Sequence, residues 1–100
     1  MKTKAYAWNE EKNEKLKAER GISFEKVVLN IADGNLLDLV THPNQEKYQG
    51  QKIFIVAVRN YAYLVPFVEN DDEIFLKTII PNGKATRKYL GVQSDQTKNE

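Results

Sequence analysis

The residues of this 100-residue chain that could do chemistry are mainly cations and aromatic side chains. Residues 74–94 contain four cations and no acid: Lys77, Lys84, Arg87 and Lys88. Arginine can bind two phosphate oxygens with its planar guanidinium, whereas lysine supplies a compact point charge. The basic segment therefore predicts contact with a polyanion, and a solvated basic face is the alternative that this pattern leaves open.

Lys77 is the most informative of these cations. It interrupts an apolar run, Ile74–Ile80, in which strand alternation would place it on one face with Phe75 and Ile79. A lysine in that position either extends its ammonium group to the edge of the sheet or lines a groove. The groove alternative would make Lys77 a phosphate-binding cation.

The single histidine and several tyrosines complete the candidates. Histidine is the side chain that exchanges protons near neutral pH, so His42 could act as an acid or base; a hydrogen bond within its loop is the plainer alternative. Tyr48, Tyr61 and Tyr63 could stack on unpaired bases or simply pack in the sheet. Tyr89 could stack or transfer a proton.

The composition excludes several other kinds of site. The chain has no cysteine, which excludes disulfides, thiolate metal sites and a cysteine nucleophile. Its one histidine has no carboxylate pair at ligand spacing, and its five glycines are isolated, so neither a metal nor another cofactor is expected. No apolar run approaches the roughly 18 residues of a membrane span, and no signal-peptide pattern is present. We expect a cytoplasmic protein without membrane contact.

The elements that position these residues predict an α+β fold. Residues 5–8 could form a short strand. Asn9 and Ser23 are preferred helix N-caps, and Gly21 and Gly34 suit helix ends, which predicts two N-terminal helices.

An antiparallel sheet of about four strands should follow the two helices. The predicted strands are Leu36–Val40, Ile53–Val58, Tyr61–Val68 and Ile74–Ile80. The second is apolar on both faces and should be central, while Pro66 predicts a bulge or an unpaired side in the third. Lys84–Leu90 should form a short C-terminal helix with Ala85 and Tyr89 turned inward. Residues 1–91 then form a single domain, and residues 92–100 a polar, disordered tail.

Two stretches resemble motifs of the BrnT-type toxins of bacterial type II toxin–antitoxin systems. Residues 6–13, Tyr-Ala-Trp-Asn-Glu-Glu-Lys-Asn, and residues 21–25, Gly-Ile-Ser-Phe-Glu, are similar to the family's aromatic-x-Trp-Asp-x-x-Lys-Asn and Gly-Val-Ser-Phe-Glu. Residues 79–89, Ile-Ile-Pro-Asn-Gly-Lys-Ala-Thr-Arg-Lys-Tyr, are similar to its closing Ile-Ile-Ser-Ala-Arg-Lys-Ala-Thr-Arg.

The resemblance implies a RelE-like ribonuclease fold, metal-independent cleavage of mRNA that inhibits growth, and neutralisation by a cognate antitoxin protein. Cleavage of this kind needs a base for the ribose 2′-hydroxyl and cations for the pentavalent phosphorus. The expected catalytic residues are Lys77, Arg87, His42 and Tyr89. The expected RNA-binding residues are Lys84, Lys88, Lys12 and Tyr48.

The chain also departs from the family pattern. Gly83 stands where the family has an arginine, and Glu19-Arg20 precede Gly21 where it has Lys-His. An impaired enzyme, an enzyme that uses Arg87 instead, and an inactive variant all remain open. A different class of function is a non-catalytic module that docks an antitoxin-like partner through its basic C-terminal helix or an edge strand, such as the one with Pro66. A plain nucleic-acid binder is a third hypothesis.

Overall fold

Residues 4–91, the part of the chain that the computed structural model describes, form three helices and six strands. The elements are β1 (Ala5–Ala7), α1 (Glu10–Arg20), α2 (Phe24–Ala32), β2 (Leu36–Thr41), β3 (Lys52–Val58), β4 (Tyr61–Glu69), β5 (Glu73–Leu76), β6 (Ile80–Pro81) and α3 (Gly83–Leu90). The predicted α+β class is confirmed. The predicted tail over residues 92–100 lies outside the described residues.

The strands form one sheet in the order β1-β5-β4-β3-β2, and β6 pairs with β4 beyond the end of β5. The sheet is mixed, because β1 runs parallel to β5 while the other pairs are antiparallel. The prediction of about four antiparallel strands therefore needs correction. It missed the parallel pairing, which joins segments almost seventy positions apart, as in Ala5 opposite Glu73.

Helices cover both faces of the sheet. The core under α1 and α2 includes Phe54 and Val56 from β3, and the core under α3 includes Ile53 and Ile55 from the same strand. This confirms the prediction that β3 is a central strand covered on both faces. Successive side chains of a strand point to opposite faces, so a strand between two apolar layers must be apolar throughout.

Buried and capping side chains fix the α1–α2 hairpin. Asn9 caps α1 by accepting a hydrogen bond from the Lys12 amide at 2.9 Å. Asn13 is fully buried: its Oδ1 accepts from the Phe24 amide at 2.8 Å, and its Nδ2 donates to Glu25 Oε1 at 2.8 Å. The opening motif thus holds α1 against the start of α2, which fixes the direction in which α1 presents its outer face.

A second buried polar residue ties α3 to the sheet. Thr86 Oγ1 accepts from the Ala62 amide and donates to the Asn82 carbonyl, both at 2.9 Å. Asn82 in turn caps α3 by accepting from the Ala85 amide at 2.7 Å. The inward positions predicted for Ala85 and Tyr89 are confirmed, since both pack in the core under α3.

The predicted strand over Ile74–Ile80 is split in two. Leu76 pairs with Phe67 and Ile80 pairs with Leu64, so residues 77–79 face only two residues of β4, one of which is Pro66. The extra residue is a bulge opposite the proline. It shifts the alternation of side chains, so Ile79 is fully buried under α1 and α2 whereas Lys77 is exposed.

The bulge and the strand order each correct one prediction. Lys77 lies beside Phe75, with Nζ 5.8 Å from the ring centre, but it does not share a face with Ile79. The strand with Pro66 is not an edge strand either. β4 lies between β3 on one side and β5 with β6 on the other, so it offers no open edge to a partner strand.

Candidate nucleic-acid interface at the β6 edge

A basic groove of about 210 Å³ lies between α1 and the chain that leads into β6. We call it the α1–β6 groove. Its lining residues are Lys12, Lys15, Leu16, Glu19, Arg20, Thr78 and Ile80. The helical residues recur at spacings of three and four, which brings them onto one side of α1. Leu16, at the base of the groove, is buried in the core. The charged side chains on either side of it line the groove.

Arg20 joins the two walls of the groove. Its Nη1 donates a hydrogen bond to the Ile79 carbonyl at 2.7 Å, beside the bulge. This contact protects a backbone acceptor at the edge of the sheet. A guanidinium has five N–H donors, and Arg20 makes no other side-chain hydrogen bond within residues 4–91.

The charges of the groove are poorly compensated. The salt bridges of the described residues belong to Lys4, Lys17 and Lys52, and none involves the three cations of the groove. Glu19 is the single acid among the lining residues. The groove therefore presents positive charge to solvent and suits an anion such as a phosphodiester.

A further cation, Arg87, lies near the far end of β6. Gly83 is three positions after Ile80, a distance of at most about 10 Å along the chain. A β-carbon on Gly83 would lie 3.3 Å from Tyr61 Oη and 3.7 Å from Arg87 Nη1, so both side chains close over this glycine. Tyr61 contacts Tyr63 edge to face, with ring centres 5.8 Å apart. We call the groove and this cluster together the β6 edge.

His42 and Tyr48 lie elsewhere, in the loop that follows β2. Their ring centres are 4.3 Å apart, and Lys47 Nζ lies 5.3 Å from the centre of the Tyr48 ring. His42 Nδ1 accepts a hydrogen bond from the Asn44 amide at 3.0 Å. This ring nitrogen is therefore used to hold the loop.

Tyr89 and Lys88 also lie toward β2. The Tyr89 hydroxyl donates to Asp38 Oδ2 at 2.6 Å, and Lys88 Nζ lies 5.1 Å from the centre of the Tyr89 ring. The hydrogen bond lowers the pKa of Asp38 and raises the pKa of Tyr89. Tyr89 thus keeps its proton at neutral pH and directs it at a carboxylate. We call the His42–Tyr48 loop and the Asp38–Tyr89 pair together the β2 edge.

The structure divides the predicted site residues between these two edges. Lys12 and Arg87 lie at the β6 edge, with Lys84 exposed in the first turn of α3 beside it and Lys77 in the adjacent bulge. The residues at the β2 edge are His42, Tyr48, Lys88 and Tyr89. Two strands separate the edges, and three strand spacings amount to about 14 Å. The four predicted catalytic residues are not brought together.

No family model, no curated protein and no solved structure is significantly similar to the chain. The candidate function therefore depends on the site itself and on the two motifs. Within residues 4–91 no group of three acidic or histidine side chains could hold a metal ion. No helix in the same range is long and apolar enough to cross a membrane.

Four residues that line the groove are not among the predicted site residues: Lys15, Glu19, Arg20 and Thr78. Lys15, Glu19 and Arg20 belong to α1, which has few apolar residues, so their charges are typical of an ordinary solvated helix surface. One available signal was the spacing of Lys12, Lys15 and Glu19 on one side of α1. What turns that side into a groove is the bulge before β6, which long-range strand pairing creates.

Proposed function

We propose that this protein is a toxin-type endoribonuclease that binds mRNA at the β6 edge and cleaves it without a metal ion. The observation that carries the proposal is the α1–β6 groove, in which Lys12, Lys15 and Arg20 have no salt-bridge partner among the described residues. A phosphodiester fits this arrangement, because a guanidinium and two ammonium groups can surround its anionic oxygens. The two motifs similar to those of BrnT-type toxins support the same function.

Glu19 is the acid in the groove that could serve as the base. Its carboxylate takes the proton of a ribose 2′-hydroxyl, the 2′ oxygen forms a bond to the adjacent phosphorus, and the bond from phosphorus to the 5′ oxygen breaks. An ammonium proton from Lys12 or Lys15 goes to the leaving 5′ oxygen. The products are a 2′,3′-cyclic phosphate and a 5′-hydroxyl end.

Arg20 stabilises the charge that develops on the phosphorane oxygens. Its hydrogen bond to the Ile79 carbonyl fixes the guanidinium before substrate binds, so little reorganisation is needed during the reaction. One preorganised donor of this kind contributes a factor of about 100 in rate. A positioned base contributes a factor of about 100 to 10,000.

The test is cleavage of single-stranded RNA by purified protein in EDTA. We expect cleavage by the wild type and a loss of about 100-fold in rate for Arg20→Ala and for Glu19→Gln. His42→Ala and Lys88→Ala are the controls at the β2 edge and should cut at the wild-type rate. The assignment of the β6 edge is wrong if His42→Ala abolishes cleavage and Arg20→Ala does not.

The proposal includes a cytoplasmic antitoxin partner. A protein that neutralises the enzyme by covering the β6 edge must present acids to its unpaired cations, because like charges across an interface are repelled. Induced expression in bacteria should slow growth, and Arg20→Ala should relieve the effect. Normal growth with active, soluble wild-type enzyme would contradict the toxin role.

A second candidate is a non-catalytic module, or an inactive toxin variant, that binds its partner without cutting RNA. The observation that favours it is the separation of His42 and Tyr89 from the groove, since proton-transfer groups about 14 Å away cannot act on a phosphate bound there. This candidate predicts RNA or partner binding with no product in EDTA, for both the wild type and Gly83→Arg.

A further inference from the structure

The cluster at the far end of β6 contains a glycine whose backbone does not require one. Gly83 has no positive φ, unlike Gly21, Gly34, Gly50 and Gly91. What its missing β-carbon provides is space, because that atom would lie 3.3 Å from Tyr61 Oη and 3.7 Å from Arg87 Nη1. The first of these contacts is tighter than ordinary van der Waals distance. Glycine here permits the close approach of the Tyr61 and Arg87 side chains to the backbone.

The Arg87 guanidinium in this cluster has no hydrogen-bond or salt-bridge partner among the described residues. Within residues 4–91 it makes no salt bridge, and the first turn of α3 carries no acid. Tyr61 lies next to it, in edge-to-face contact with Tyr63 at an interplanar angle of 65°. A guanidinium beside half-buried aromatic rings is the combination with which proteins hold a phosphate and stack the neighbouring unpaired base.

We propose that Arg87, Tyr61 and Tyr63 form a subsite for one flanking nucleotide of single-stranded RNA. Arg87 binds its phosphate, and the exposed part of the tyrosine pair stacks on its base. The inference rests on the proposed function, because the strand that enters the subsite is the one held in the α1–β6 groove. β6 joins the two places over at most about 10 Å, so a single strand reaches both.

The probe is a short single-stranded DNA oligonucleotide, which lacks the 2′-hydroxyl and therefore binds without being cut. We expect Arg87→Ala to weaken binding by about tenfold and to reduce the slope of log affinity against log salt by about 0.7. Lys88→Ala is the matched control: it removes the same charge one residue later, from an ammonium that lies against Tyr89. It should change the affinity by less than about twofold.

Gly83→Ala tests the clearance directly. The added methyl would lie 3.3 Å from Tyr61 Oη and so displace this hydroxyl, while its 3.7 Å distance to Arg87 Nη1 is an ordinary contact that fills the space beside the guanidinium. We expect affinity to fall by about fivefold. Alanine is favoured over glycine in a helix, so the melting temperature should stay equal or rise, which separates lost binding from lost folding. Tyr61→Phe removes the hydroxyl that the methyl meets, and Gly83→Ala in that background should lose less.

Two results would overturn the subsite: equal weakening by Arg87→Ala and Lys88→Ala, or wild-type affinity in both Gly83→Ala and Arg87→Ala. Cleavage of RNA in EDTA is scored separately on the same proteins. A wild type that never cuts RNA but shows the expected oligonucleotide effects refutes the endoribonuclease and keeps the subsite. A wild type that cuts RNA and shows none of these effects refutes the subsite alone.

Discussion

The candidate groups at the two edges of the sheet differ in whether they already have a partner within the fold. At the β2 edge, His42 Nδ1 accepts a hydrogen bond from a backbone amide and the Tyr89 hydroxyl donates to Asp38. At the β6 edge, Lys15 and Arg87 have no salt bridge within residues 4–91. A group that is already bonded must give up that bond before it can serve a ligand, whereas an unpaired cation is available at once. His42 and Tyr89 therefore differ from Lys15 and Arg87 in being already engaged by a partner within the fold.

The edges also differ in how the backbone is protected. Arg20 covers an edge carbonyl beside β6 and still presents its guanidinium to the groove. β2 pairs with β3 alone among the described strands, and it exposes 48% of Leu39. At the β6 edge, one residue, Arg20, therefore both protects the sheet and presents a charge, whereas no such residue covers β2 among the described residues.

The largest expected effect comes from releasing α1, which carries the cations of the groove. Asn13→Leu leaves the buried Phe24 amide without its acceptor and removes a bond to Glu25, so we expect unfolding free energy to fall by about 3 kcal/mol. Urea denaturation measures it. Asn30→Leu, an amide on the flank of α2, is the control and should cost less than about 1 kcal/mol. Equal costs would contradict a special role for Asn13.

A smaller loss should follow from loosening α3, which contributes to both edges. Thr86→Val keeps the shape but removes Oγ1, so the buried Ala62 amide loses its acceptor. We expect a loss of about 2 kcal/mol in urea denaturation. Thr78→Val, in the groove, should stay within about 0.5 kcal/mol. If the two variants are equally stable, Thr86 does not anchor the helix.

Charge removal sharpens the comparison without affecting the fold. Lys15→Ala at the β6 edge should reduce the slope of log RNA affinity against log salt by about 0.7, because one fewer phosphate is neutralised. Lys47→Ala, whose ammonium lies over the Tyr48 ring, is the matched control at the β2 edge and should leave the slope unchanged. A slope that falls equally in both variants would mean that RNA binds by diffuse charge and not at one edge.

Local chemistry made most elements predictable. The caps Asn9 and Ser23 and the end at Gly21 fixed both N-terminal helices, and the all-apolar run of β3 fixed its central place. The parallel β1–β5 pair could not be predicted, because it depends on which distant segments pair. Pro66 did predict a bulge or an unpaired side, but the bulge lies opposite it in the segment before β6 and not in β4. A one-residue bulge was enough to move Lys77 off the face that alternation gave it.

The candidate site was predictable in its parts but not in its grouping. The acid-free segment indicated Arg87 as a phosphate-binding cation, yet nothing local shows that its guanidinium lies beside Gly83 while Tyr89, two residues later on the same helix, bonds to Asp38 of β2. Asparagine and threonine are usually exposed, and only the tertiary hydrogen bonds of Asn13 and Thr86 show that these two residues are buried anchors. Tyr89 shows the reverse case, a predicted functional group that is bonded to a carboxylate.

The smallest expected effect concerns the hydrogen bond from the Tyr89 hydroxyl to Asp38. The pKa of Asp38 is lowered in the folded protein, chiefly by the Tyr89 hydroxyl, and the pKa of Tyr89 is raised by the same bond. A lowered carboxyl pKa gives stability that is present above the unfolded pKa, about 4, and is lost as pH falls through the folded one. A raised phenol pKa gives stability that is present below about 10 and is lost as pH rises through the folded value.

Tyr89→Phe should therefore lower the melting temperature slightly and by a constant amount at pH values of about 5 to 9, and the difference from the wild type should shrink at about pH 3. Cleavage of RNA should not change, because the hydroxyl is committed to Asp38 at the edge away from the groove. Asp38→Asn is the paired control. It removes the titrating carboxylate, so its melting temperature should fall less than that of the wild type between about pH 5 and about pH 3. Tyr89→Phe could instead slow cleavage and keep the wild-type dependence of melting temperature on pH below about 5. In that case Tyr89 takes part in the reaction, and the contrast between the two edges is wrong.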